Sequence, residues 1–103
     1  MAMLDRASAE LYASWFRCLA DATRIQILEL LASRGTPMTV GQIVVKVGVG
    51  QSTVSHHLKL LAEVGFVTME RAGTASWFRV NPRCVAGFPS AADVVMGARP
   101  PGR

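Results

Sequence analysis

Residues 50–67 read GQSTVSHHLKLLAEVGFV, and this stretch decides the architecture. Val54, Leu58 and Leu61 recur at the i, i+4, i+7 spacing of one helix face, which predicts an amphipathic helix over 51–63. Gly65 stands where a left-handed helix terminator belongs. With that apolar stripe turned inward, at about 100° per residue, Ser52, His56, Lys59 and Glu63 project outward and Ser55 lies to the side. Hydroxyls, an imidazole and a lysine near a helix N-terminus suit base edges and phosphates, and the N-terminus itself favours phosphate. A polar outer face is ordinarily just a solvated one. A generic exposed helix mixes both signs of charge, however, and here no acid occurs before Glu63.

The flanks place this helix in a larger pattern. Upstream, Thr39 followed by Gln42 forms a capping-box pattern that opens a short helix through Val47, and Gly48-Val49-Gly50 then reads as a tight turn. Downstream, strands are expected over 66–71 and 76–80 around a hairpin tip at 72–75. Arg71 and Arg79 flank that tip, where a wing would meet backbone phosphate; two exposed strand arginines are the bland alternative. The predicted fold is mostly α with a small β-hairpin, the order of a winged helix-turn-helix.

Further out, residues 5–18 read as a helix with Leu11, Trp15 and Cys18 on one stripe and Tyr12, Phe16 and Leu19 on the next. A helix that broadly apolar needs cover on two sides, which predicts dimerisation through it. Asp21 caps an expected helix over 22–33, whose Ile25, Ile27, Leu28, Leu30 and Leu31 point nearly all round, so it should be buried. Residues 33–37 form a loop by composition. Ser90 with Asp93 suggests a last cap and a short helix through Met96, the second dimerisation element. Residues 1–97 are thus expected to form one winged helix-turn-helix domain with dimerisation helices at both ends, and 98–103 a disordered tail.

Composition sets the outer bounds. The 103 residues are half apolar and 17% charged, which excludes a disordered chain and fits one thin domain that a partner would stabilise. The net charge of +4 is unevenly placed. Residues 1–45 balance four arginines against four acids, whereas 46–83 carry five basic residues against Glu63 and Glu70. Such a local surplus is a candidate polyanion footprint. No run of 18 apolar residues occurs, and Asp5 and Glu10 interrupt the apolar stretch that a signal peptide needs, so a cytoplasmic location without membrane contact is expected. No nucleophile–base–orienter pattern or glycine-rich phosphate loop is present, which argues against an enzyme. A protein-contact module would need an apolar outer face on 51–63, and only Leu60 offers one, on a flank.

The stretches LADATRIQILELL (19–31), GQSTVSHHLKLLAEVGFV (50–67) and ERAGTASWFRV (70–80) resemble the ArsR/SmtB family of dimeric winged-helix repressors. The resemblance spans roughly residues 11–85. It implies a homodimer that sits on a palindromic DNA operator and is released by an inducer. It carries DNA contacts over to Gln51, Ser52, Thr53, Ser55 and His56, with Lys59, Arg71 and Arg79 on phosphate. Gly50 departs from the capping Ser of many relatives, at a cost of only a few tenths of a kcal/mol.

Sensor sites known in such proteins are then checked against this chain. The arsenic-type Cys-x-Cys pair is replaced by Met38-Thr39-Val40-Gly41, and the zinc-type acidic and histidine ligands of the last helix are missing, since no His follows Arg83. His56 and His57 are adjacent and project too far apart to share a metal, and His57 borders the core face as a packing residue. Cys18 and Cys84 remain. Soft thiolates suit arsenic(III), and two of them fit a monomethylated arsenic(III) species better than inorganic arsenite, which prefers three. Residues 83–97 resemble the tail of arsenic-linked members, although Val85, Ala86 and Gly87 stand where some carry a second Cys. A thiol redox switch, or a repressor with no sensor and Cys18 as a small buried hydrophobe, are the alternatives.

Overall fold

The computed structural model of the chain describes residues 4–83 and Met96. Cys84, the cap expected at Ser90 and the tail over 98–103 lie outside the described residues. Seven elements follow in order: α1 (Arg6–Cys18), α2 (Ala22–Arg34), β1 (Met38–Thr39), α3 (Val40–Val47), α4 (Gln51–Val64), β2 (Val67–Ala72) and β3 (Ala75–Val80).

Local chemistry sets the helix boundaries. Asp5 and Asp21 cap α1 and α2, accepting from the backbone N–H of Ser8 and of Arg24, each at 3.1 Å. Thr39 and Gln42 close the reciprocal capping box that opens α3. Gly48 then takes φ +77°, a left-handed conformation costly for any residue with a Cβ, and this lets the chain turn sharply into α4. At the far end of α4 the N–H of Phe66 reaches the carbonyl of Leu61 at 2.9 Å and that of Gly65 reaches Ala62 at 3.1 Å, a Schellman closure at the expected glycine.

The hairpin register pairs Ala72 with Ala75, so its tip is the two-residue Gly73-Thr74. Gly73 has φ +65° and no residue other than glycine has positive φ among the described residues, the sign pattern of a type II′ turn. The sheet has three strands rather than the expected two. Met38 and Thr39 pair antiparallel with Phe78 and Trp77, giving the order β1-β3-β2. Two residues after a proline carry no strand periodicity of their own, and it is the partner β3 that makes them a strand.

Ile27, Leu31, Met38, Ile43, Val54, Leu58, Leu61, Phe66 and Val67 form the core with Cys18. The expectation for α2 needs correction. Only its Ile27 and Leu31 are buried, and Ile25 is 51% exposed, because a single chain covers one side of this helix. On α1, Leu11 is 50% exposed and Phe16 37%, while Trp15 and the C-cap Leu19 pack partly against the core. No helix among the described residues is long and apolar enough to cross a membrane.

The cap at Asp21 predicts a pH effect. The bond from the Arg24 N–H holds its carboxyl below the ordinary carboxylate range, helped by the charges of His57 and Arg24 and opposed by desolvation. A depressed folded-state value gives stability that is complete above the unfolded carboxylate range and is lost as pH falls through the folded value. Asp21→Asn keeps a capping side chain but cannot titrate. Its melting temperature should therefore fall less steeply than the wild type's on acidification; equal slopes in a thermal melt series would remove Asp21 from the acid transition.

Candidate nucleic-acid interface

On α4 the buried positions are Val54, Leu58 and Leu61, all at 0% exposure. Gln51, Ser52, Thr53, Ser55, His56 and Lys59 are exposed, so the side chains singled out from the sequence form one continuous outer surface over the first turns. No carboxylate stands on it before Glu63. Gly50 caps the helix without a side-chain bond, leaving the amides of the first turn without a capping side chain. Partial positive charge therefore stands at the end that also carries Gln51, Ser52 and Thr53. Leu60, the flank position a protein-contact face would need, is half-buried and lines a cleft between α1 and α4.

The hairpin treats its two arginines differently. Arg71 pairs with Ser76 beside the tip, whereas Arg79 pairs with Thr68 near the base, roughly 10 Å further back along the strand at about 3.3 Å per residue. Paired residues share a face and successive residues alternate, so Arg71 lies on the face of Met69 and Phe78, and Arg79 on that of Glu70 and Trp77. The expectation that both flank the tip holds in register for Arg71; the structure brings the two arginines to opposite faces. Asn81, which the sequence reading passed over, ties the wing to α4. Its Nδ2 donates to the carbonyl of Gly65 at 2.8 Å and its backbone N–H to that of Phe66 at 2.9 Å.

Cys18 is 7% exposed, with its thiol 3.8 Å from the carbonyl of Leu60 on α4. Burial pushes the thiol up and the charge of Arg24 works the other way, so the group is held protonated. Beside it, a cleft of about 270 Å³ opens between α1 and α4, lined by Ser14, Arg17, Cys18, Arg24, Leu60, Glu63 and Val64. Among the described residues no group of three or more His, Cys, Asp or Glu side chains is placed to hold a metal ion. His56 and His57 have ring centroids 6.0 Å apart and do not converge. His56 faces outward, while His57 turns in to Arg24, a partner 33 positions away.

Comparison with known proteins adds to this geometry. A family model described as "Bacterial regulatory protein, arsR family" matches residues 21–69, from the α2 cap to the middle of β2. An HTH-type transcriptional regulator of Methanocaldococcus jannaschii is 37% identical over 65 residues, 63% of this chain and 72% of the relative. The arsenical resistance operon repressor of Bacillus subtilis is 34% identical over 88 residues, 82% of this chain and 83% of the relative. Among solved structures, a homodimeric winged helix-turn-helix DNA-binding domain from Mycobacterium bovis superposes with a TM-score of 0.71 at 30% identity, covering 94% of this chain and 90% of that one.

Proposed function

The chain belongs to the arsR family of bacterial regulatory proteins, and we propose that it works as a homodimeric repressor that leaves a palindromic DNA operator when a thiophilic inducer binds. It is a DNA-binding transcriptional regulator and not an enzyme. The observation that carries the fuller reading is the outer surface of α4, exposed, polar and free of acids over three turns while its opposite side is fully buried. Gln51, Ser52, Thr53, Ser55 and His56 read bases in the major groove, and Lys59, Arg71 and Arg79 meet phosphate. Arg71, beside the tip, reaches the backbone at the wing's end; Arg79, near its base, reaches it only on the opposite face.

Two copies pair through α1, where Leu11 is half exposed, and through the segment around 90–97. The homodimeric state of the Mycobacterium bovis relative supports this pairing. It sets the two reading helices about one DNA turn, roughly 34 Å, apart. The protein acts in the cytoplasm, where the operator is.

The inducer is an arsenic(III) or methylated arsenic(III) species held by Cys18 and Cys84, which the kinship with an arsenical resistance repressor supports. Cys18 becomes a ligand only by losing its proton and its buried place against Leu60. Binding and separation of α1 from α4 are then one event, and the inducer need favour the separated form by only a few kcal/mol to clear the operator. The test is a fluorescence-anisotropy titration on DNA upstream of the protein's own gene, run reduced, oxidised, and with arsenite, methylarsenite, cadmium or zinc. Tight, salt-sensitive binding abolished by an arsenic(III) species, and retained in that species' presence by Cys18→Ser or Cys84→Ser, is the expected result. Release by oxidation alone would make the pair a redox switch. Indifference to every additive would make both cysteines structural, and absence of DNA binding would overturn the reading altogether.

A further inference from the structure

A chain of polar contacts runs from the end of α1 to the inner flank of α4. The Nε of Arg24 donates to the carbonyl of Cys18, the last residue of α1. Its Nη1 lies 3.2 Å from Nδ1 of His57, a side chain only 12% exposed. The other ring nitrogen, Nε2, lies 4.0 Å from Oδ1 of Asp21, which also accepts the backbone N–H of Arg24. Three residues along α4 from His57, the carbonyl of Leu60 takes the thiol of Cys18. Cys18, Arg24, His57 and Leu60 thus close a ring that joins α1, α2 and α4.

A guanidinium only donates. Nδ1 of His57 must therefore be the acceptor, which leaves the ring proton on Nε2, on the side of Asp21. Asp21, the cap of α2, and Arg24 on α2 face the imidazole, with His56 beside it on α4.

Packing of Val54, Leu58 and Leu61 holds α4 against the core, and the Arg24–His57 contact adds a directional polar tie on its inner flank. A reading surface has to be held within about 10–20° of its productive orientation. We infer that Arg24 and His57 are positioning residues for DNA reading, a strut that fixes the roll of α4 relative to the end of α1 and so carries the state of the dimer helix to the reading surface. This rests on the reading of α4 as the DNA-contacting helix and α1 as the pairing helix.

The test measures the affinity of the full chain for operator and for random duplex DNA, with circular dichroism as the check on folding. His57→Asn keeps an acceptor near the place of Nδ1; His57→Leu keeps bulk and removes the acceptor. For His57→Leu we expect operator affinity to fall about tenfold, within the range of one good base contact, with random-sequence binding nearly unchanged. His57→Asn should keep the operator preference at neutral pH.

Arg24→Gln, which leaves the imidazole in place, should reproduce the loss seen in His57→Leu and serves in its stead if that variant does not fold. Unchanged operator preference in both variants would overturn the strut. So would equal losses in the Leu and Asn variants. A wild type that binds no DNA would show itself before any variant is compared, and would overturn the parent reading and this one with it.

Discussion

Leu58→Ala will cost the domain about 2–5 kcal/mol of folding stability, read as a shift of the denaturation midpoint with little change in slope. Leu58 is fully buried in the middle of α4, between Val54 and Leu61, in a core assembled from short elements. Truncation removes the transfer free energy of the side chain and leaves a cavity that elements anchored on several sides do not readily collapse into. A typical domain has only about 5–15 kcal/mol in total, so the loss is a large share of it. Leu60→Ala provides the contrast, because Leu60 lies one position outside the stripe and is partly exposed. A cost below about 1 kcal/mol for Leu58→Ala would place it among tolerated repackings and show that α4 is held mainly by something other than its apolar stripe.

The second large effect concerns sequence reading. Ser55→Ala and His56→Ala should each lower operator affinity by about 1–3 kcal/mol, five- to 150-fold, while leaving random-sequence DNA nearly unaffected. Both side chains are exposed on the outer surface of α4. Arg71→Ala supplies the opposite signature: binding to every sequence weakens alike and the salt slope flattens by about one. Parallel titrations on operator and random duplexes separate the two. Equal loss on both DNAs for Ser55→Ala or His56→Ala would move those residues from base reading to phosphate contact.

Much of this architecture was legible because it is written in local chemistry. The caps at Asp21 and Thr39, the terminator at Gly65 and the spacing of Val54, Leu58 and Leu61 each act over a few residues, and a reader needs no knowledge of what lies across the fold. Strand β1 was not legible, since Met38 and Thr39 become a strand only by lying beside Phe78 and Trp77. The exposure of Ile25 was missed for the converse reason: periodicity shows which side chains are apolar, but not how many sides of a helix one chain can cover. The inward turn of His57 was foreseen as packing, yet its partner Arg24, 33 positions away, leaves no mark in either local sequence. The opposite faces of Arg71 and Arg79 were within reach. A register that sets Arg71 against Ser76 sets Arg79 against Thr68, three positions from Arg71 and hence on the other side of the pleat.

The two hydrogen bonds that Asn81 donates to the carbonyls of Gly65 and Phe66 have a consequence for how occupancy responds to signal. With the last strand latched to the end of α4, wing and helix form one solid piece. Under the proposed function a shift of the dimer then cannot loosen the wing while the helix stays seated, and each half-site is held or vacated as a whole. The response to rising inducer should look stepwise at the single-molecule level, two discrete detachments, even where the bulk titration draws a smooth curve.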